Sequence, residues 1–233
     1  MRFEDGVAQP VASSRWSLLL PLFAILVIAG IGFLLRAPGA GEFEGTGLLW
    51  FRLDHDPSQV AGGAWARDFW LALSWIGDSG PRITIASLIV LCLLALGRWQ
   101  NALFIALVLG SGVMMSQLMK QLIDRPRPAV VPPLDQVGSA SFPSGHALNS
   151  TLFYLLLALV LAGWLRSPAA RAALFLSAVS MAAATGVSRL ALGVHYPSDV
   201  LAGGLIAIAW LWFCWGLSAR VWPQLTRFRS AGA

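Results

Sequence analysis

Charged side chains are scarce in this chain: they make up 12% of its 233 residues, against about a quarter in a typical soluble domain, while 57% are hydrophobic. That balance excludes an ordinary soluble domain and points to a lipid environment. Cysteine is almost absent. The two present, Cys92 and Cys214, fall inside apolar runs, where a thiol packs as a small hydrophobe, so neither a disulfide framework nor a cysteine metal cluster is expected. There is no internal repeat, and no low-complexity tract beyond Gly/Ala-rich run ends. The net charge of +5 would raise nucleic acid as a partner in a soluble protein. Here the arginines gather at the ends of apolar runs (Arg98, Arg166, Arg171, Arg220, Arg227, Arg229), as cytoplasmic anchors do, and nucleic acid is excluded.

What the chain has in quantity is charge-free apolar length. Such stretches cover Trp16–Leu35, Ile83–Gly97, Trp99–Met119, Ala147–Leu165, Ala172–Ser188 and Val200–Ala219, and a bilayer crossing takes about 20 residues. The second reaches crossing length from Gly80-Pro81, because Arg82 can return its charged head to water. The first follows Arg2 and Arg15 as a signal peptide would, but it is long for one and no clear cleavage site follows it, so it is expected to remain as a helix. The expected fold is all-α: a six-transmembrane-helix bundle forming one integral-membrane domain over residues 1–233. Between the first and second spans, "AWARDFWLALSWIG" (64–77) is too short to cross. With Trp65, Phe69 and Ile76 on one face it reads as a helix lying in the interface, or as an aromatic belt of similar meaning.

Six spans put both termini on one side. Lys and Arg divide eight to eight between the two sets of connections. Lys120, Arg127 and Arg189 belong to motifs, and Arg52 and Arg67 lie deep in a long loop, where they weigh little. The termini are therefore expected in the cytoplasm, and the other set of connections on the external, periplasmic side of the inner membrane.

Polar groups beside a membrane are costly, so those at the external mouths of the spans have a functional reading. Three groups meet there. In "KQLIDRPRP", Lys120 closes the third span and Arg127 sits between Pro126 and Pro128, on stiff extended backbone that aims a guanidinium at a phosphate. In "SFPSGHALNS", Pro143-Ser144-Gly145-His146 opens a helix whose free N–H groups form an anion site; Ser144 serves as N-cap, as phosphate donor, or as both. In "SRLALGVHYPSD", Pro197 suits the first helical position, and Asp199 follows His195 by four residues, within reach of its imidazole. His55, in "RLDHDPSQ", has polar loop neighbours and reads as solvated surface. Cations and helix N-termini call for a phosphate, and two histidines beside them call for phosphoryl transfer.

These motifs resemble those of the type 2 phosphatidic acid phosphatase family, membrane lipid phosphatases related to vanadium haloperoxidases and acid phosphatases. The family signatures Lys-x6-Arg-Pro, Pro-Ser-Gly-His and Ser-Arg-x5-His-x3-Asp read here as Lys120…Arg127-Pro128, Pro143-Ser144-Gly145-His146 and Ser188-Arg189…His195…Asp199. The resemblance covers roughly residues 65–217. It implies that His195 is the nucleophile that becomes phosphohistidine, that Asp199 holds its ring, and that His146 protonates the leaving oxygen and then activates water. It further implies that Lys120, Arg127, Ser144, Gly145 and Arg189 hold the phosphoryl oxygens, with no metal and no cofactor.

The implied substrate is a phosphorylated membrane lipid, with undecaprenyl pyrophosphate first. Phosphatidylglycerophosphate, phosphatidic acid and a lipid A phosphatase or phosphotransferase reaction are the alternatives. Arg125, beside Arg127, is a candidate contact for a second phosphate. A non-catalytic membrane protein would be expected to have lost a motif residue, and this chain has lost none. A haloperoxidase would need a soluble shell, against the six apolar runs, whereas a small soluble ester stays open as a substrate.

Overall fold

The computed structural model describes residues 16–222; Arg2 and Arg15, read with the first run, and the expected anchors Arg227 and Arg229 lie outside the described residues. Eight α-helices follow in order: α1 (Trp16–Leu35), α2 (Glu42–Thr46), α3 (Ala64–Ile76), α4 (Ser79–Ala95), α5 (Trp99–Ile123), α6 (Gly145–Ala162), α7 (Pro168–Ala191) and α8 (Pro197–Val221). Six segments are long and apolar enough to cross a membrane, with α3 and α4 forming one continuous stretch, Ala64–Ala95. The bundle expected from the apolar runs is the bundle observed, and the short helix at 64–77 is present as α3. Between α2 and α3 the chain adds two features that the sequence pattern did not signal. One is a 3-10 turn, Gly47–Phe51; the other is a small antiparallel hairpin, β1 (Arg52–Leu53) with β2 (Asp56–Val60).

The centre of the bundle is α6, which packs most extensively against α7 and α8, while α1 lies along α8. Leu148, Leu152 and Leu156 recur every four residues, so they form one stripe of α6, and all three are fully buried. They meet Ile206 and Ala207 of α8 and Ile105 and Val108 of α5. The outer faces carry large exposed apolar side chains, among them Phe23, Leu26, Leu34 and Met114. In a bilayer those faces meet lipid, so close packing rather than water exclusion must hold the helices together. At Gly203 of α8 a Cβ would stand 2.7 Å from the Ser144 carbonyl oxygen, so the absence of a side chain lets α8 reach the first turn of α6.

A second close approach sets the N-terminal end of α4. Gly77 joins α3 to α4, and its carbonyl accepts hydrogen bonds from Arg82 Nε (2.7 Å) and Ser150 Oγ (3.2 Å). A Cβ on Gly77 would stand 2.1 Å from Thr185 Cγ2 and 2.9 Å from Ser150 Oγ. Gly77→Ala is therefore expected to destabilise the protein by about 1–3 kcal/mol, the usual cost of overpacking. A lower thermal midpoint in detergent is the measurement; an unchanged midpoint would show that α6 and α7 yield freely.

Two helix boundaries differ from expectation. The apolar stretch read from the sequence ends at Ser188, but α7 continues to Ala191 and carries Arg189 in its last turn. No residue between 188 and 191 breaks a helix, and Arg189 is tolerated there because it finds polar partners. Similarly, α5 runs past Met119 to Ile123 and ends at Asp124, in left-handed conformation (φ 46°), whose N–H bonds the Lys120 carbonyl.

Candidate active site

The ends of α4 to α8 on one side of the bundle surround a cavity of about 600 Å³, lined among others by Lys120, Arg127, Gly145, His146, Arg189 and His195. Six of the eight residues singled out in the sequence thus share one cavity. The other two, Ser144 and Asp199, are fully buried behind its wall.

Lys120 reaches the cavity from the last turn of α5, and its Nζ donates to the Ala140 carbonyl at 2.5 Å. Arg127, on extended backbone between its two prolines, donates from Nε to Ser139 O (2.8 Å) and from Nη1 to Val194 O (2.6 Å). Burial and the neighbouring Arg189 lower its pKa to about 10, so it remains a cation at neutral pH. Arg189 donates from Nη1 to Asp135 (2.6 Å) and to Ser74 Oγ, and its buried Nε has no hydrogen-bond partner among the described residues.

At the start of α6, Ser144 behaves as an N-cap. Its Oγ accepts from Ala147 N at 3.4 Å, and its own N–H is taken by the Asp199 carbonyl at 3.0 Å. Of the two roles expected for Ser144, N-cap and phosphate donor, the capping contact is the one its position shows. The next two residues, Gly145 and His146, line the cavity at the helix N-terminus, where N–H groups have no intrahelical acceptor. His146 Nε2 lies 3.9 Å from Asp78, the N-cap of α4, a partner that sequence spacing could not reveal.

His195 precedes α8 and is 2% exposed. Its Nδ1 lies 3.5 Å from Asp199 Oδ2 and 3.4 Å from Ser141 Oγ. Its Nε2 lies 3.4 Å from Arg127 Nη1. A guanidinium only donates, so Nε2 must accept and the proton is assigned to Nδ1. Asp199 Oδ2 also accepts from Ser141 Oγ (2.5 Å) and Tyr196 N (2.9 Å), while Oδ1 accepts from Arg125 Nη1 (2.7 Å).

Burial lowers the His195 pKa to about 4, the hydrogen bond and charge of Asp199 opposing the shift and the cations Arg127 and Lys120 adding to it. The ring is thus neutral at physiological pH. A histidine whose folded pKa lies below its unfolded value contributes stability above pH ~6.5 that is lost as pH falls toward the folded value. Thermal stability in detergent should therefore decline between about pH 6.5 and 4, and His195→Gln should decline less. Parallel curves for the two proteins would assign the acid loss to other groups.

Arg125 was a candidate for a second phosphate, but the structure turns it away from the cavity. It is 1% exposed and engaged by Asp199, by Ser198 Oγ (2.7 Å) and by Glu44 (3.1 Å), with its guanidinium 4.2 Å from the Tyr196 ring centre. Ser141, Glu44, Asp78 and Asp135 are the polar neighbours that spacing did not single out. Ser141 stood inside the quoted "SFPSGH" stretch, but nothing local ties it to a residue 58 positions on. His55 is exposed at the hairpin turn, as expected.

Residues 101–223 match the PAP2 superfamily, more than half of the chain. The protein belongs to that superfamily. Among its curated relatives, phosphatidylglycerophosphatase B of Bacillus subtilis (strain 168) is 29% identical over 140 residues, covering 60% of this chain and 68% of the relative. Decaprenylphosphoryl-5-phosphoribose phosphatase of Mycobacterium tuberculosis (strain CDC 1551 / Oshkosh) is 35% identical over 104 residues, 42% of this chain and 52% of that relative. The crystal structure of a transmembrane PAP2-type phosphatidylglycerolphosphate phosphatase from Bacillus subtilis superposes with a TM-score of 0.72. The superposition covers 88% of this chain and 98% of the other at 22% identity, a likeness of fold.

Proposed function

We propose that this PAP2 protein is a membrane lipid phosphatase that moves the terminal phosphoryl group of a lipid to His195 and then to water. The observation that carries the reading is the placement of His195, with Nε2 3.4 Å from Arg127 Nη1, at the wall of a cavity that also holds Lys120, Arg127, Arg189 and His146. In the first step the Nε2 lone pair forms an N–P bond and the ester P–O bond breaks, while His146 gives a proton to the leaving oxygen. In the second step His146 takes a proton from water, whose oxygen attacks phosphorus and releases the N–P bond. Inorganic phosphate and a free alcohol result. Lys120, Arg127, Arg189 and the N-terminus of α6 hold the phosphoryl oxygens, and Asp199 keeps the Nδ1 proton in place. Such fixed cations make the step independent of a metal ion.

A second cleft supports a lipid as substrate. About 270 Å³ in volume and lined by Ala86, Leu109 and Phe153, it shares Arg82, Ile83, Val113 and Asn149 with the wall of the polar cavity. An apolar chain would lie there with its phosphate among the cations. The burial of Arg125 removes the extra cation reserved for a second phosphate, so a lipid phosphate monoester such as phosphatidylglycerophosphate now ranks ahead of undecaprenyl pyrophosphate. The gathering of arginines at the opposite ends of the spans supports a site on the external, periplasmic face of the inner membrane, with cytoplasmic termini.

The test is phosphate release in detergent with chelator present, from undecaprenyl pyrophosphate, phosphatidylglycerophosphate and phosphatidic acid in parallel, with an acid-labile phosphoenzyme sought in each. Chelator-resistant release through a phosphoenzyme is expected, fastest with phosphatidylglycerophosphate. Release that chelator abolishes would overturn the histidine mechanism, and release from soluble esters alone would overturn the lipid.

A further inference from the structure

The loop between α1 and α3 contributes one charged side chain to the back of the site. Glu44, in α2, uses both carboxylate oxygens: Oε1 accepts from Arg125 Nη2 at 3.1 Å, and Oε2 accepts from the backbone N–H of Ser198 in the first turn of α8 at 2.9 Å. Arg125 in turn donates from Nη1 to Asp199 Oδ1 at 2.7 Å. The buried Asp199 then faces the Nδ1 of His195 with its other oxygen. A chain of four groups, Glu44, Arg125, Asp199 and His195, thus runs from the external loop to the ring that faces the cavity.

Two physical consequences follow from this order of charges. A buried guanidinium paired with one carboxylate alone would draw electron density from that carboxylate and weaken its hold on the Nδ1 proton. Shared between two carboxylates, Arg125 orients Asp199 and draws less from it. The geometry is fixed as well, because Glu44 ties Arg125 to the α8 backbone two residues after Tyr196, whose ring lies against the same guanidinium. With Oδ1 held by Arg125, Oδ2 is left to face Ser141, Tyr196 N and His195.

We propose that Glu44 is a positioning residue for His195, acting through Arg125 and Asp199 to hold the ring in the tautomer with Nε2 free. The first external loop then serves the site from behind. The inference rests on the nucleophilic role proposed above for His195, and its test separates the two.

Protein labelled with ¹⁵N-histidine would be prepared in detergent as the native chain, Glu44→Gln and Glu44→Asp, with His195→Gln used to assign the resonance. Glu44→Gln keeps the shape of a mostly buried side chain, removes its charge, and turns one of the two accepting oxygens into a donating amide. The native spectrum should show a downfield Nδ1 proton. Glu44→Gln should move it upfield or populate the other tautomer, and Glu44→Asp should restore it in part. In turnover with phosphatidylglycerophosphate, Glu44→Gln should lower kcat by about 10- to 100-fold, as loss of an outer partner of a working imidazole does. KM and the thermal midpoint should stay near native. An unmoved His195 resonance overturns the proposal, as does a kcat loss matched by equal losses of KM and thermal stability. If the resonance responds but the native protein releases no phosphate, the positioning stands and the phosphatase reading falls.

Discussion

His195→Gln is expected to remove phosphate release and the phosphoenzyme together, lowering kcat by at least about 10³-fold, as loss of a covalent nucleophile does. The substitution keeps a side chain of similar reach in a site where His195 is 2% exposed, so the cavity should persist. Lys120, Arg127 and Arg189 still line it and should still bind a phosphate. The discriminating measurement is therefore paired: the rate of phosphate release, and retention of a non-hydrolysable lipid phosphonate. Loss of both would mean that the substitution had collapsed the cavity. Release that survived would assign the attack to another group and overturn the phosphohistidine route.

The effect of His146→Gln should depend on the leaving group. A lipid alkoxide is a poor leaving group, and the proposed route draws the proton for its departure from His146, so turnover of a lipid ester should fall by about 10²–10⁴-fold. An aryl phosphate leaves without that help. Its phosphoenzyme should form at near-native rate and then persist, because the same imidazole is missing when water must be deprotonated. Rapid acid quench with the two esters reads both limbs. Equal losses for both esters in the first step would show that His146 orients the phosphate instead of moving a proton. Asp78, 3.9 Å from the ring, is the nearby carboxylate that would orient it for either role.

Much of this was legible along the chain. The spans could be read because a charge-free run of bilayer length has few other uses, and Pro197 stands at the first turn of α8 because its missing N–H costs nothing there. The motif residues could be read because each lies beside a span mouth, and antiparallel spans bring alternate mouths to one face. Local pattern was weaker at the edges. It ended α7 before Arg189, since an arginine inside an apolar helix looks like a boundary until Ser74 and Asp135 are known to receive it. It also left the stretch from 42 to 60 without elements, because a five-residue helix and a two-stranded hairpin lack a period long enough to detect.

The order of residues thus determined six crossings, the meeting of three motifs on one face, and the residue types offered to a phosphate. Those follow from hydropathy and spacing, which are local. Folding in three dimensions decided which groups face the cavity and which stand behind it. Arg125 and Arg127 are two positions apart on the same stiff segment, yet one lines the cavity and the other is buried against Asp199. The difference lies in Glu44, 81 residues away, and in the Tyr196 ring, contacts made only when α2 and α8 come together. A side chain's partner is a matter of packing, and packing joins residues whose separation along the chain carries no signal.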